Sequence, residues 1–150
     1  MKKNIVLIIL LVASFTVNGQ NFDSTVEKLI EENIDEIIEL RHWFHQNAEL
    51  SNREFKTAER IKNELIKIGY KPNIGIAKTG VVAILNEGKE GPVVGLRADI
   101  DGLPIKERVD IPWASKMTGV YNGEEVPVMH ACGHDTVSYT HLTLPTTTIV

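Results

Sequence analysis

The densest cluster of reactive side chains is Met129-His130-Ala131-Cys132-Gly133-His134-Asp135. It holds a thiol, two imidazoles and a carboxylate within seven residues. These are the side-chain types that bind zinc and its neighbours. Gly133 lets the backbone turn sharply between Cys132 and His134, so both could reach one ion or a metal pair. A pair about 3.5–4 Å across would share an activated water. Two other readings use the same residues. One is a buried cysteine beside ordinary loop histidines. The other is a Cys132–His134 nucleophile pair, which needs a lowered thiol pKa and is awkward because side chains at i and i+2 rarely face each other.

The second cluster is Leu96-Arg97-Ala98-Asp99-Ile100-Asp101-Gly102-Leu103-Pro104. Its two carboxylates, just past an expected strand, could bind a cation or orient a metal-binding imidazole. The plainer reading is a solvated turn closed by Gly102 and Pro104. His42 and His45 sit near the end of an expected helix, where cations are favourable, and are read as structural. Trp43 and Phe44 are read as packing residues, and His141 is given no role.

The elements that must position these clusters follow from spacing. Ser24-Thr25-Val26-Glu27 has the form of a capping box. Val26, Ile30, Ile34, Ile37 and Arg41 then share one helical face, which predicts a helix to about Phe44. Ser51-Asn52-Arg53-Glu54 is a second such box, opening a helix that carries Phe55, Ala58, Ile61, Leu65 and Ile68. Gly69 stands where a left-handed C-terminal residue is expected, and Pro72 follows. Gly80–Leu85 and Pro92–Ala98 read as two strands in an antiparallel hairpin, covered on both faces as in a layered domain. Val126-Pro127-Val128 reads as a strand leading into the thiol cluster. From Val137 to Val150 there is no charge and no period. That segment, 137–150, is expected to be a non-native or disordered tail resembling translated adapter sequence.

Composition narrows the function classes. The chain has 150 residues and a formal charge of −4. Lys2-Lys3, an apolar run from Ile5 to Ala13 and a small polar stretch ending at Gly19-Gln20 form an export signal over residues 1–19. About a dozen apolar residues fall short of the roughly 20 that span a bilayer, so removal on export to the periplasm or medium is expected, with no membrane contact afterwards. A mildly acidic remainder without a basic patch argues against nucleic acid. Residues 20–136 make one modest domain at most. Cys132 is the single cysteine, which excludes an internal disulfide framework.

Arg41-His42-Trp43-Phe44-His45-Gln46-Asn47-Ala48-Glu49-Leu50, the 96–105 segment and Met129–Asp135 together resemble three ordered signatures of the metal-dependent amidohydrolases. That family includes hippurate hydrolase, indole-acetyl-amino-acid hydrolases and N-acyl-amino-acid deacylases, related to aminoacylases and metal carboxypeptidases. The resemblance implies an α/β fold, the N-terminal part of a zinc-peptidase-like three-layer catalytic domain, truncated. It implies that Cys132 and His134 are ligands of a dinuclear divalent metal site (manganese, zinc, nickel or cobalt) and that Asp101 supports it. Asp99 stands where more distant relatives have a histidine ligand. The other ligands, a Glu and two His, and the general-base Glu come from later sequence in the family. Ala48 replaces a usual Pro, and Val137-Ser138-Tyr139 departs from the family's continuation.

The expected reaction is metal-dependent hydrolysis of the amide of N-acyl amino acids or related small conjugates by a longer, exported protein, which the resemblance makes a homodimer. The alternatives are a metallo-carboxypeptidase or dipeptidase of the same superfamily, a thiol-nucleophile hydrolase, and an inert or weakly metal-binding fragment.

Overall fold

The computed structural model describes residues 24–143; the export signal expected over residues 1–19 and the last residues of the tail lie outside the described residues. The chain divides into two units between Glu32 and Asn33. Helix α1 (Ser24–Gln46) begins in the first unit, where Val26 and Ile30 are exposed and Lys28 lies 3.6 Å from Glu32. In the second unit Ile34 and Ile38 are exposed too, and burial begins at Leu40 and Phe44. The expected apolar face is therefore covered only toward its C-terminal end. The helix outruns Phe44 because Asn47 closes its last turn, donating to the Trp43 carbonyl from both its backbone N–H and its side-chain Nδ2.

Helix α2 (Phe55–Lys67) is capped differently from the expected box. Ser51 and Asn52 lie in a turn before the helix. The Glu49 carboxylate instead accepts hydrogen bonds from the N–H groups of Lys56 and Thr57, at 3.2 and 2.8 Å, and from the Thr57 hydroxyl at 2.9 Å. A carboxylate here satisfies orphan donors and meets the positive end of the helix dipole. Glu54 is buried and accepts from the Thr79 hydroxyl. Phe55 is exposed, contrary to the expected face. The C-terminus follows expectation: Gly69 has φ +91°, its N–H donates to the Ile66 carbonyl, and the Tyr70 N–H donates to Leu65, the paired bonds of a Schellman cap.

The strands correct the sequence reading. β1 (Asn73–Ile76) pairs antiparallel with β2 (Gly80–Val82), so the 80–85 run turns back on the segment before it. The expected partner, Pro92–Ala98, forms no strand, and Val93 is 98 % exposed. Periodicity identified apolar extended segments but not their partners, which pairing over sequence distance decides. β3 (Met117–Tyr121) and β4 (Glu124–Val128) form a second hairpin around Asn122-Gly123, both with positive φ. This tight turn requires the left-handed region at both positions. β4 contains the expected strand Val126-Pro127-Val128.

Two apolar clusters hold the second unit. Leu40 and Phe44 of α1 pack with Ile61 of α2, and half-buried Trp43, Leu65, Val81 and Ile100 adjoin them. Ala48, Leu50 and Val128 form the other, with Met117 and Val126. Ala48, at the departure from the family's usual proline, is buried here. Helix α3 (His134–Thr143) runs through the start of the expected tail. Ser138 is buried and donates to the carbonyls of His134 and Asp99. The first residues of the expected 137–150 tail are thus helical, with Ser138 buried. A small hydroxyl residue at the right helical position makes this contact, and charge and periodicity do not report it.

Candidate metal centre

The site is assembled where three distant segments meet. The Gly102 N–H donates to the Glu49 carbonyl at 2.7 Å, and Leu103 and Met129 exchange backbone hydrogen bonds of 2.8 and 3.1 Å. Residues 101–103 are thus clasped between the Leu50 segment and the end of β4. Gly102 permits this closeness: a Cβ there would lie 3.0 Å from Val128, 3.1 Å from Ala48 and 3.2 Å from the Met129 carbonyl. β4 then delivers Met129-His130, and Gly133, at φ +93°, turns the chain into α3. Its carbonyl accepts from the Thr136 and Val137 N–H groups and from the Thr136 hydroxyl.

That geometry brings Asp101 to His134. His134 Nδ1 lies 2.9 Å from Asp101 Oδ1 and 3.1 Å from the Asp101 carbonyl oxygen. Both neighbours are acceptors, so Nδ1 is the nitrogen that carries the hydrogen. The lone pair of the neutral ring then lies on Nε2. A carboxylate that fixes the tautomer of an imidazole in this way is the usual arrangement behind a metal-binding histidine. Cys132 is a free, exposed thiol one residue before the Gly133 turn. Among the described residues no three His, Cys, Asp or Glu side chains converge into a metal cage.

The neighbouring acids have other work. Asp99 is exposed and pairs with Arg97 at 2.9 Å, as the solvated-turn reading expected for this carboxylate. Asp135, considered as an oxygen donor by its position, is 2 % exposed and engaged elsewhere. One of its oxygens lies 2.9 Å from His45 Nδ1 and 3.3 Å from Arg41 Nε. The other nitrogen of His45, Nε2, lies 2.8 Å from Glu107 Oε2. The hydrogen bond from His45 is the largest influence holding the Glu107 carboxyl below its ordinary range, against the opposing effect of burial. The second Glu107 oxygen accepts from the N–H groups of Arg108 and Val109.

Sequence reasoning missed this cluster. His45 was assigned to a helix end, and Glu107 is 62 residues away along the chain, with no spacing to mark it. His42, by contrast, stacks on Trp113 at 3.8 Å, a structural role as expected. His130 lies against the cluster, 6.5 Å from His45 ring to ring. It is buried with neither ring nitrogen hydrogen-bonded among the described residues. Burial pushes its pKa down to about 4, so the neutral ring is the form that fits.

Comparison with known proteins gives this arrangement its relatives. No family model matches the chain. Hippurate hydrolase of Campylobacter jejuni is 41 % identical over 110 residues, covering 71 % of this chain and 27 % of the relative. N-acetyl-L-cysteine deacetylase of Bacillus subtilis is 43 % identical over 112 residues, covering 75 % and 23 %. A solved dinuclear metal-binding peptidase of the M20 family, also from Bacillus subtilis, superposes with a TM-score of 0.65 at 34 % identity, covering 75 % of this chain and 29 % of that one. The resemblance to the metal-dependent amidohydrolases is borne out, as is the α/β fold class. The chain spans about a quarter of the length of the curated relatives it matches.

Proposed function

We propose that the longer protein to which this chain corresponds hydrolyses the amide bond of N-acyl amino acids or related small conjugates, with Cys132 and His134 among the ligands of a divalent metal pair. The observation that carries this is the Asp101–His134 hydrogen bond, which leaves Nε2 as the free donor of an imidazole beside an exposed thiol. Thiolate and imidazole donors suit zinc, and imidazole suits nickel as well, whereas manganese prefers oxygen donors; the resemblance implies manganese, zinc, nickel or cobalt. When bound, such ions polarise the amide carbonyl and make water acidic enough to attack near neutral pH.

This chain's own residues have defined tasks in that reading. Asp101 orients the ring of His134 and holds its hydrogen on Nδ1. Gly133 sets the angle between the two donors. The family resemblance assigns the general-base glutamate and the remaining ligands to sequence beyond Thr136, so the 150-residue chain alone is expected to bind metal weakly and to turn over nothing. The names of the relatives, a hippurate hydrolase and an N-acetyl-L-cysteine deacetylase, support a small acylated amino acid as substrate. The M20 peptidase favours a second reading, cleavage of a dipeptide or of a C-terminal residue. The Lys2-Lys3 and apolar pattern supports export, and the resemblance supports a homodimer.

The test is hydrolysis of N-acetyl and N-benzoyl amino acids, and of dipeptides, by the longer protein. Faster turnover of the acylated amino acids is expected, and preference for dipeptides would select the second reading. No turnover of either class would contradict both.

A further inference from the structure

Two acids and two bases meet around His45: Asp135 and Glu107, Arg41 and the imidazole itself. The His45 and Asp135 side chains are only 7 % and 2 % exposed. Buried charge of this kind destabilises a fold unless each group finds partners. Each ring nitrogen of His45 faces a carboxylate oxygen at hydrogen-bond distance, so the ring ties two segments together. One is the 107–109 loop, gripped by Glu107, and the other is the first turn of α3. Gln46, the next residue of α1, donates to the Pro112 carbonyl and fastens the same loop. Asp135 directly follows His134 and cannot shift without carrying that ring away from Asp101.

We propose that His45 is a positioning residue for the Cys132–His134 pair, acting through Asp135, a proposal that rests on the metal-site reading above. His45 reaches neither donor itself. It fixes the start of α3 at a point where Gly133, with its positive φ, offers little resistance to rotation. Arg41 neutralises the same carboxylate from the α1 side. The helix that bears the first family signature thereby sets the geometry of the third.

The experiment compares the 150-residue chain with His45→Gln, whose single amide nitrogen can take the place of only one of the two ring nitrogens, and with His42→Ala as control. Two readouts are taken: amide hydrogen exchange across residues 133–138, and Co²⁺ binding followed by the thiolate-to-cobalt absorption. In His45→Gln the exchange should quicken roughly tenfold, and Co²⁺ affinity should fall about tenfold, the lower edge for groups that orient ligands. His42→Ala should leave both unchanged. A His45→Gln chain with a lowered melting temperature but wild-type exchange and Co²⁺ affinity overturns the proposal, because it shows a role in stability only. Should His45→Gln fail to fold, ring-nitrogen NMR of the unaltered chain decides: a hydrogen-bonded Nδ1–H on His45 is expected, and a bare Nδ1 overturns it. Absence of any Co²⁺ binding by the unaltered chain would count against the metal reading, while the exchange data would still judge His45.

Discussion

Asp101 faces His134 Nδ1 with both its carboxylate and its backbone carbonyl, so its replacement has a graded expectation. Asp101→Ala in the longer protein removes the carboxylate acceptor at His134 Nδ1 and leaves only the backbone carbonyl to hold the tautomer. Metal affinity should fall 10–100-fold, about the effect of losing such a partner, with less change in melting temperature. Isothermal titration with Zn²⁺ or Mn²⁺ measures it. Two other groups set the acid sensitivity of this chain. Glu107 has a folded pKa below its ordinary value of 4.5. Its contribution to stability is complete above that value and is lost as pH falls through the lowered folded one. His130 is also lowered, from 6.5 to about 4, so the unfolded chain takes up that proton first as pH drops. Its contribution therefore declines between about 6.5 and 4. Urea unfolding at pH 7 and pH 5 should show lower stability at pH 5, and His130→Gln should flatten that difference. At this scale the sequence marked Cys132, His134 and Asp101 as candidates because ligand types and a known signature coincide. It concealed Glu107 and the task of His45, because a single exposed-looking glutamate in a loop carries no spacing signal until the fold brings it to the ring.

The two helices were legible because period and stop signals lie within a few residues of each other. The cap of α2 was not: Glu49 acts across eight residues on Thr57, and the local Ser51 box looked sufficient. Glu49→Ala should destabilise the chain by about 1–2 kcal/mol, the range for losing a helix cap, while Ser51→Ala should do little. Gly69→Ala, which places a Cβ at φ +91°, should cost about 1 kcal/mol. Chemical denaturation checks all three. The strands were harder to read. The 80–85 and 92–98 segments are apolar enough to be strands, yet the first three residues of one pair with β1 and the other stays unpaired among the described residues. The Asn122-Gly123 hairpin carried the strongest local turn signal in the chain. Its strand β3 went unrecognised because Met117–Tyr121 contains a glycine, Gly119, which packs against Leu50.

Across the molecule, the second unit joins three family signatures through two small apolar clusters and a buried charge network. Its 92–96 segment leaves Val93, Val94 and Leu96 largely exposed, a run of apolar side chains that a further element can cover. In the longer protein these residues should be protected from hydrogen exchange and in this chain they should exchange freely, a contrast that mass spectrometry reads directly. The central claim is that Cys132 and His134 hold the metal on which hydrolysis depends. The most direct test is metal content by mass spectrometry, measured alongside turnover of an N-acyl amino acid, for the longer protein and its Cys132→Ala variant. The account predicts that the variant loses both bound metal and turnover. Full turnover at unchanged metal content would contradict it.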